Sequence, residues 1–282
     1  MELHRPATWQ EALAVKAAHP DALPIAGGTD VMVEINLDRH RPESIIDLTR
    51  IPELAEWGLE DGTVRVGAGV TYARIIDELG ERLPGLAMAS RTVGSPQIRN
   101  RGTVGGNLGT ASPAGDAHPP LLAADAAVEL ASASGTRRIP VREFFTGPKR
   151  SAMRKDELIA AFLVRPSEGG GQQFSKVGTR NAMVIAVCSF AIDVDHARRR
   201  IGTGIGSAGP TPLTAPEAER FVEAELDWEG RRPLSEAALA QFGDLVAAAA
   251  KPIDDIRGTA AYRRHALAVQ ARRCLAWAWA AA

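Results

Sequence analysis

Arg99-Asn100-Arg101-Gly102-Thr103-Val104-Gly105-Gly106-Asn107-Leu108-Gly109-Thr110-Ala111-Ser112-Pro113-Ala114-Gly115-Asp116 is the most telling run in this chain, and Thr103-Val104-Gly105-Gly106-Asn107 is its centre. Paired glycines let a backbone turn tightly and approach another group closely, because no Cβ intervenes. Successive N–H groups in such a turn make a concavity that favours an anion. Thr103, Asn107, Thr110 and Ser112 surround it with neutral hydrogen-bonding side chains. A second run, Ala26-Gly27-Gly28-Thr29-Asp30, has the same make-up after the short apolar lead Leu23-Pro24-Ile25. Two glycine-pair turns, each beside a hydroxyl residue, suit one large ligand with two phosphates, such as a dinucleotide.

Taken alone, a Gly-Gly pair is usually just a loop, and a ligand turn is the rarer case. Neither run is a G-x-G-x-x-G or a G-x-x-x-x-G-K-[ST], so Rossmann and P-loop sites have no motif support. From the residues alone, a phosphate or nucleotide site and a structural loop both stand.

The order of the motifs goes further. Ala26-Gly27-Gly28-Thr29-Asp30, then Arg99 to Asn107, then Ser112-Pro113-Ala114-Gly115-Asp116 resembles the FAD-binding medium subunit of molybdenum hydroxylases, and is similar to the FAD domain of xanthine dehydrogenase. Near the C-terminus, Asp254-Asp255-Ile256-Arg257-Gly258-Thr259-Ala260-Ala261-Tyr262-Arg263-Arg264 resembles the opening of that family's closing helix. The resemblance implies an α+β chain: a two-subdomain FAD-binding fold of the vanillyl-alcohol-oxidase/PCMH type, then a C-terminal α+β domain with a small antiparallel sheet and helices. We expect the first domain over residues 1–170, with subdomains at about 1–54 and 55–170, and the second over 171–282.

Composition agrees with a globular chain. The 282 residues are 45% hydrophobic and 24% charged, enough for a sizeable core, with a net charge of −1. No strong field exists to draw nucleic acid or an anionic membrane. No apolar run reaches the roughly 20 residues of a membrane span, and Met1-Glu2-Leu3-His4-Arg5-Pro6 lacks signal-peptide character, so the cytoplasm is expected. Only Cys188 and Cys274 are present. An iron–sulfur cluster of the common kind needs four thiolates, so this chain holds none by itself. The six histidines are scattered with no H-x-x-x-H or similar pair, and no structural metal site is expected.

Along the chain, Thr8 is placed to cap a helix over 9–19 and Thr71 one through Leu79. Strands are expected at Leu23–Ala26, Ser44–Leu48, Val64–Ala68 (after an Asp61-Gly62 turn) and Leu158–Val164, with a hairpin about Ser134-Gly135. A helix is expected over Gly85–Gly94. Glu168-Gly169-Gly170-Gly171 reads as either a linker or a hairpin tip. Beyond it, Gln173–Val177 and Arg200–Ser207 read as strands and 183–194 as helix then strand. Residues 216–224, 235–250 and 260–281 read as helices. In the last of these Tyr262, Leu267, Val269, Leu275 and Trp279 are expected to pack, and Arg263, Arg264, Arg272 and Arg273 to lie on other faces.

The resemblance also implies site residues. Ala26, Gly27, Gly28, Thr29 and Asp30 match the first pyrophosphate-side motif, with Ile25 and Val31 flanking it as further cofactor-binding candidates. Asp30 departs from the serine or threonine often found there, and an Asx turn or helix N-cap is its other reading. Thr103, Gly105, Gly106 and Asn107 match the second motif, Thr110 is a further cofactor-binding candidate, and Asp116 matches an acidic position near the cofactor. Val93 and Ile159 take apolar positions against the flavin, where any core would also accept them. Lys176 matches a lysine that would stabilise a phosphate or reduced flavin; a solvent-exposed lysine is the alternative. Asn181-Ala182-Met183 departs from related chains after Arg180.

No nucleophile–base pair emerges, as suits a subunit whose chemistry belongs to its cofactor. The implied function is the FAD-containing electron-transfer subunit of a heterotrimer. Its implied partners are a small subunit with two [2Fe–2S] clusters and a large one with a molybdopterin cofactor, within a dimer of heterotrimers. A non-catalytic scaffold subunit and a free-standing flavin oxidase of the same fold are the alternatives.

Overall fold

In the computed structural model, which describes residues 1–181 and 183–281, the chain opens on three short parallel strands. Strand β1 (Glu2–His4) leads through helix α1 (Trp9–Ala18) to β2 (Leu23–Ile25), and α2 (Val31–Asn36) leads to β3 (Ser44–Asp47). The sheet order is β1-β3-β2. Parallel neighbours need a crossover, which α2 supplies between β2 and β3. The Thr8 hydroxyl oxygen accepts the Glu11 N–H at 3.2 Å, capping α1 as expected. Helix α2 buries none of its residues; Met32, Val33 and Leu37 are exposed on and just after it.

A 3-10 turn, Pro52–Ala55, precedes the second unit. Here β4 (Trp57–Glu60) and β5 (Thr63–Gly67) close over Asp61-Gly62, both residues at positive φ. Five helices follow: α3 (Tyr72–Glu78), α4 (Pro84–Arg91), α5 (Pro96–Arg99), α6 (Val104–Thr110) and α7 (His118–Ala123). The chain then makes the hairpin β6 (Ala127–Ser132) and β7 (Gly135–Pro140), short helix α8 (Val141–Phe144), the small ribbon β8 (Phe145–Gly147) and β9 (Arg150–Ser151), and β10 (Leu158–Val164). The five-stranded sheet is ordered β4-β5-β10-β6-β7 and its pairings are antiparallel. Strand β10, Leu-Ile-Ala-Ala-Phe-Leu-Val, is buried at every position. Its continuous apolar run is what a central strand covered on both faces requires. Around it Val66, Ile75, Leu108, Leu130, Phe144 and Phe162 form the first core.

Residues after β10 leave this sheet. The glycines of 168–171 carry the chain into a second sheet, not around a hairpin tip. That sheet, ordered β11-β12-β13, is formed by β11 (Gln172–Val177), β12 (Cys188–Asp195) and β13 (Arg200–Gly206) and is antiparallel. Helices α9 (Pro216–Glu225), α10 (Glu236–Ala249) and α11 (Ala260–Ala280) complete a second core around Phe190, Phe242, Leu267, Leu275 and Trp279.

Three local expectations are corrected. Described residues of 183–187 form no helix, and strand β12 begins at Cys188, because the apolar run there is short and pairs edge to edge with β11 and β13. Helix α4 ends at Arg91, before Gly94, whose φ of 50° breaks the helix. In α11 Tyr262 is exposed while Arg263 is buried. Arg263 shares the inward stripe with Leu267 at i+4, where its Nη1 donates to the carbonyls of Val187 and Ser207 and its Nε stays without a partner.

Candidate cofactor site

The two glycine turns, some seventy-five residues apart in sequence, meet. A Cβ on Gly27 would lie 2.0 Å from Arg101 O and 2.9 Å from Gly102 Cα, so only glycine lets the first turn rest on the second. Strand β2 delivers the first turn, and Gly28, at φ 75°, reverses the chain into α2. Ile25 lies beneath Gly28 and its carbonyl is held by Leu48 N–H at 2.9 Å. Ala26, Thr29 and Val31 are half-buried along this wall. Asp30 occupies the N-cap position of α2 but makes no side-chain cap bond, and it is exposed.

The second turn is the start of α6. Thr103 is its cap: Thr103 Oγ1 accepts the Gly106 N–H at 2.9 Å, and the Asn107 N–H goes to Thr103 O at 3.1 Å. Those two N–H groups are thus used inside the helix, a correction to a turn whose successive amides all face outward. The glycine pair divides its labour. Gly105 is buried against Ala68, whereas Gly106 opens to solvent, with only Thr103 Oγ1 near where a Cβ would sit. Gly109 is exposed too, and Thr110 is half-exposed, its hydroxyl held by Gly106 O at 3.0 Å. The open face of α6 is therefore bare backbone and small polar groups. Ile159 of β10 underlies Gly109, as part of the first core.

The second group of candidate residues centres on a buried ion pair. Lys176 Nζ on β11 donates to Asp116 Oδ2 at 2.6 Å and to Thr92 O at 3.3 Å, and both side chains are about nine-tenths buried. Lys176 is neither solvent-exposed nor an uncommitted cation. Burial pushes the Asp116 carboxyl above its ordinary range, against the Lys176 ammonium and the Thr92 hydroxyl. Val93 follows Thr92 and packs against the first core. Its carbonyl and those of Arg91 and Gly94 are gathered by Arg99 Nη1.

Two residues that the sequence did not single out sit between these parts. Tyr72 is buried, packs its ring on Gly102, and feels the charges of both Asp116 and Asp30. His118 is fully buried, places Nε2 3.1 Å from Asn107 O and packs its ring against Phe145 at a tilt of 48°. Burial lowers its pKa to about 4, outweighing the carbonyls of Asn107 and Ser112, so at neutral pH it is an uncharged ring donating Nε2–H to Asn107 O. Neither residue belongs to a local pattern that would have revealed it. Of the 181–183 segment, Ala182 lies outside the described residues; Arg180 donates to Met183 O at 2.7 Å.

The arrangement fits a large polar ligand. Its walls are two backbone turns and an uncovered helix. Asn107 Oδ1 and Asp116 Oδ1 are buried without a hydrogen-bond partner, and buried acceptors of this kind call for a donor. The candidate residues fall into one group at the turns and one at the ion pair, joined through His118 and Tyr72.

Comparison with known proteins agrees along the whole chain. The family described as the FAD binding domain in molybdopterin dehydrogenase matches residues 1–165, and the CO dehydrogenase flavoprotein C-terminal domain matches residues 173–278. The xanthine dehydrogenase FAD-binding subunit of Escherichia coli O157:H7 is 31% identical over 288 residues, covering 99% of this chain and 96% of that protein. The nicotinate dehydrogenase FAD-subunit of Eubacterium barkeri is 34% identical, covering 78% and 79%. Among solved structures, carbon monoxide dehydrogenase from Hydrogenophaga pseudoflava, in a form lacking the Mo-pyranopterin moiety of the molybdenum cofactor, superimposes with a TM-score of 0.90 at 29% identity, covering 100% of this chain and 98% of that one.

Proposed function

Because the chain belongs to the family of FAD-binding subunits of molybdenum hydroxylase dehydrogenases, we propose that it is the electron-transfer medium subunit of a heterotrimer. In this reading it takes electrons from the [2Fe–2S] clusters of a small partner and passes them to an external acceptor, while substrate is hydroxylated at the molybdopterin cofactor of a large partner. Two such heterotrimers would pair. Residues 1–170 would bind the cofactor and 171–282 form the second domain, a division that follows the two hydrophobic cores.

The observation that carries this reading is the meeting of the Gly27 turn with Arg101-Gly102 beside the open face of α6. The turn at Ala26, Gly27, Gly28, Thr29 and Asp30 and the α6 face at Gly106, Asn107 and Thr110 would hold the pyrophosphate. Asp116, Lys176, Val93 and Ile159 would lie toward the flavin. When bound, FAD supplies the one- and two-electron chemistry that side chains lack. The protein's own part is to shape the cleft, to hold a charge pair buried, and to keep Asn107 in place through His118. Met32, Val33 and Leu37, exposed together on and just after α2, a helix that buries none of its residues, support a subunit of a larger assembly over a free-standing oxidase.

An absorbance spectrum of the purified chain, with mass identification of what heat releases, tests the reading. Flavin bands and released FAD are expected. A colourless chain that also refuses added FAD would remove the electron-transfer role and favour the scaffold.

A further inference from the structure

Away from the cofactor cleft, the first three-stranded sheet gathers two histidines that sequence spacing keeps apart. Glu2 and His4 are two residues apart on β1 and therefore share one face of the strand. Helix α1 runs back along the sheet and ends at His19, its C-cap. The His4 and His19 rings come to 4.4 Å centroid to centroid. One donor atom from each of Glu2, His4 and His19 lies within 4.8 Å of the others, and Glu2 Oε1 is 3.8 Å from His4 Nε2. The segment after His19 is fixed by Lys16, whose Nζ donates to Pro20 O at 2.7 Å and Ala22 O at 2.8 Å.

A second observation points to a ligand. His4 Nε2 is buried and has no hydrogen-bond partner. A buried ring nitrogen left unpaired, facing a second imidazole and a carboxylate, is an arrangement that favours a shared cation. We propose that Glu2, His4 and His19 bind a divalent zinc ion that clips β1 to the end of α1. Two imidazoles and one carboxylate are a donor set suited to zinc, with the fourth tetrahedral position left to water. Bonds of about 2.0 Å need donor atoms closer than they now stand; Glu2 and His19 are exposed and can rotate inward. The clip would close the chain from residue 4 to residue 19 and stiffen the sheet whose strand β2 presents the Gly27 turn. The site is separate from the cofactor cleft, so its test does not depend on flavin.

Calorimetric titration of the untagged, chelator-treated full chain with zinc chloride tests this. One saturable site per chain and a thermal midpoint that rises with zinc are expected. His19→Ala and Glu2→Gln, both at exposed positions, should weaken binding by about ten- to a hundredfold or more, while His265→Ala in α11 leaves it unchanged. Lack of saturable binding overturns the proposal, as does binding that survives His4→Ala and His19→Ala together.

Discussion

At the scale of single residues, the adjoining turns make opposite predictions for neighbouring kinds of glycine. Gly27→Ala forces a Cβ into Arg101 backbone; it should destabilise the chain by about 1–3 kcal/mol, as overpacking does, and part the two turns. Gly106→Val meets open space apart from Thr103 Oγ1. It should leave the urea midpoint near that of the parent and remove bound flavin. Equal flavin content in the parent and Gly106→Val chains would refute the role given to α6. His118 carries a pH prediction. Its folded pKa of about 4 lies below the ordinary 6.5, so the unfolded chain takes up the proton first as pH falls. Its stabilising contribution is therefore complete above pH 6.5 and is lost on the way down to pH 4. At about 1.4 kcal/mol per unit, the loss over that window is roughly 3 kcal/mol. His118→Gln keeps a donor for Asn107 O and should flatten the dependence of urea stability on pH between those limits; an unchanged slope would count against it.

Among the elements, α11 shows how a polar residue serves as a core residue. Arg263 donates from Nη1 to Val187 O at 2.8 Å and Ser207 O at 2.6 Å, and from Nη2 to Asp255 Oδ1 at 2.5 Å. It thereby ties the last helix to both ends of the β12–β13 hairpin region and to the loop before it. Arg263→Met fills the volume but removes the donor to the Val187 and Ser207 carbonyls, while Asp255 keeps its bonds from Arg257. A loss of about 1–3 kcal/mol is expected by denaturant titration, the cost of buried acceptors left without a donor, with Arg263→Lys recovering part. A change within experimental error would mean that water replaces the guanidinium without cost. The Asp255 and Arg263 letters were visible in the C-terminal motif, but their pairing was not. Helical periodicity assigned Arg263 to an outer face because it weighs only hydrophobicity, and a guanidinium can be buried wherever backbone carbonyls converge on it.

Across the whole molecule, the join between the two cores rests on glycines of β13. A Cβ on Gly204 would lie 2.0 Å from Pro119 O, and one on Gly202 1.9 Å from Ala123 O, so the second sheet lies flush on α7. Gln172 Oε1 accepting Gly85 N–H at 2.9 Å, Ser207 N–H on Pro113 O at 2.9 Å and the Lys176–Asp116 pair add polar links across the same join. Gly204→Ala should cost about 1–3 kcal/mol and split the calorimetric unfolding into two transitions, one for each core. A single transition at the parent temperature would show that the join tolerates the methyl group. Among the described residues no helix is long and apolar enough to cross a membrane.

The sequence by itself determined most of the elements, and the order of its motifs, through the family it resembles, the cofactor class. Strand β10 was legible as an unbroken apolar run, the Asp61-Gly62 hairpin as turn chemistry, and the Thr8 and Thr71 caps as hydroxyls ahead of helices, because each is encoded within a few residues. The motif order carried the family for the same reason: glycine turns are local and keep their letters. Only the tertiary structure decided that the Gly27 turn rests on Arg101, that Gly105 faces inward while Gly106 faces out, that Lys176 is committed to Asp116 sixty residues away, and that His4 meets His19. These depend on which surfaces close against each other. Pairing energies between distant side chains leave no periodic trace in the order of residues.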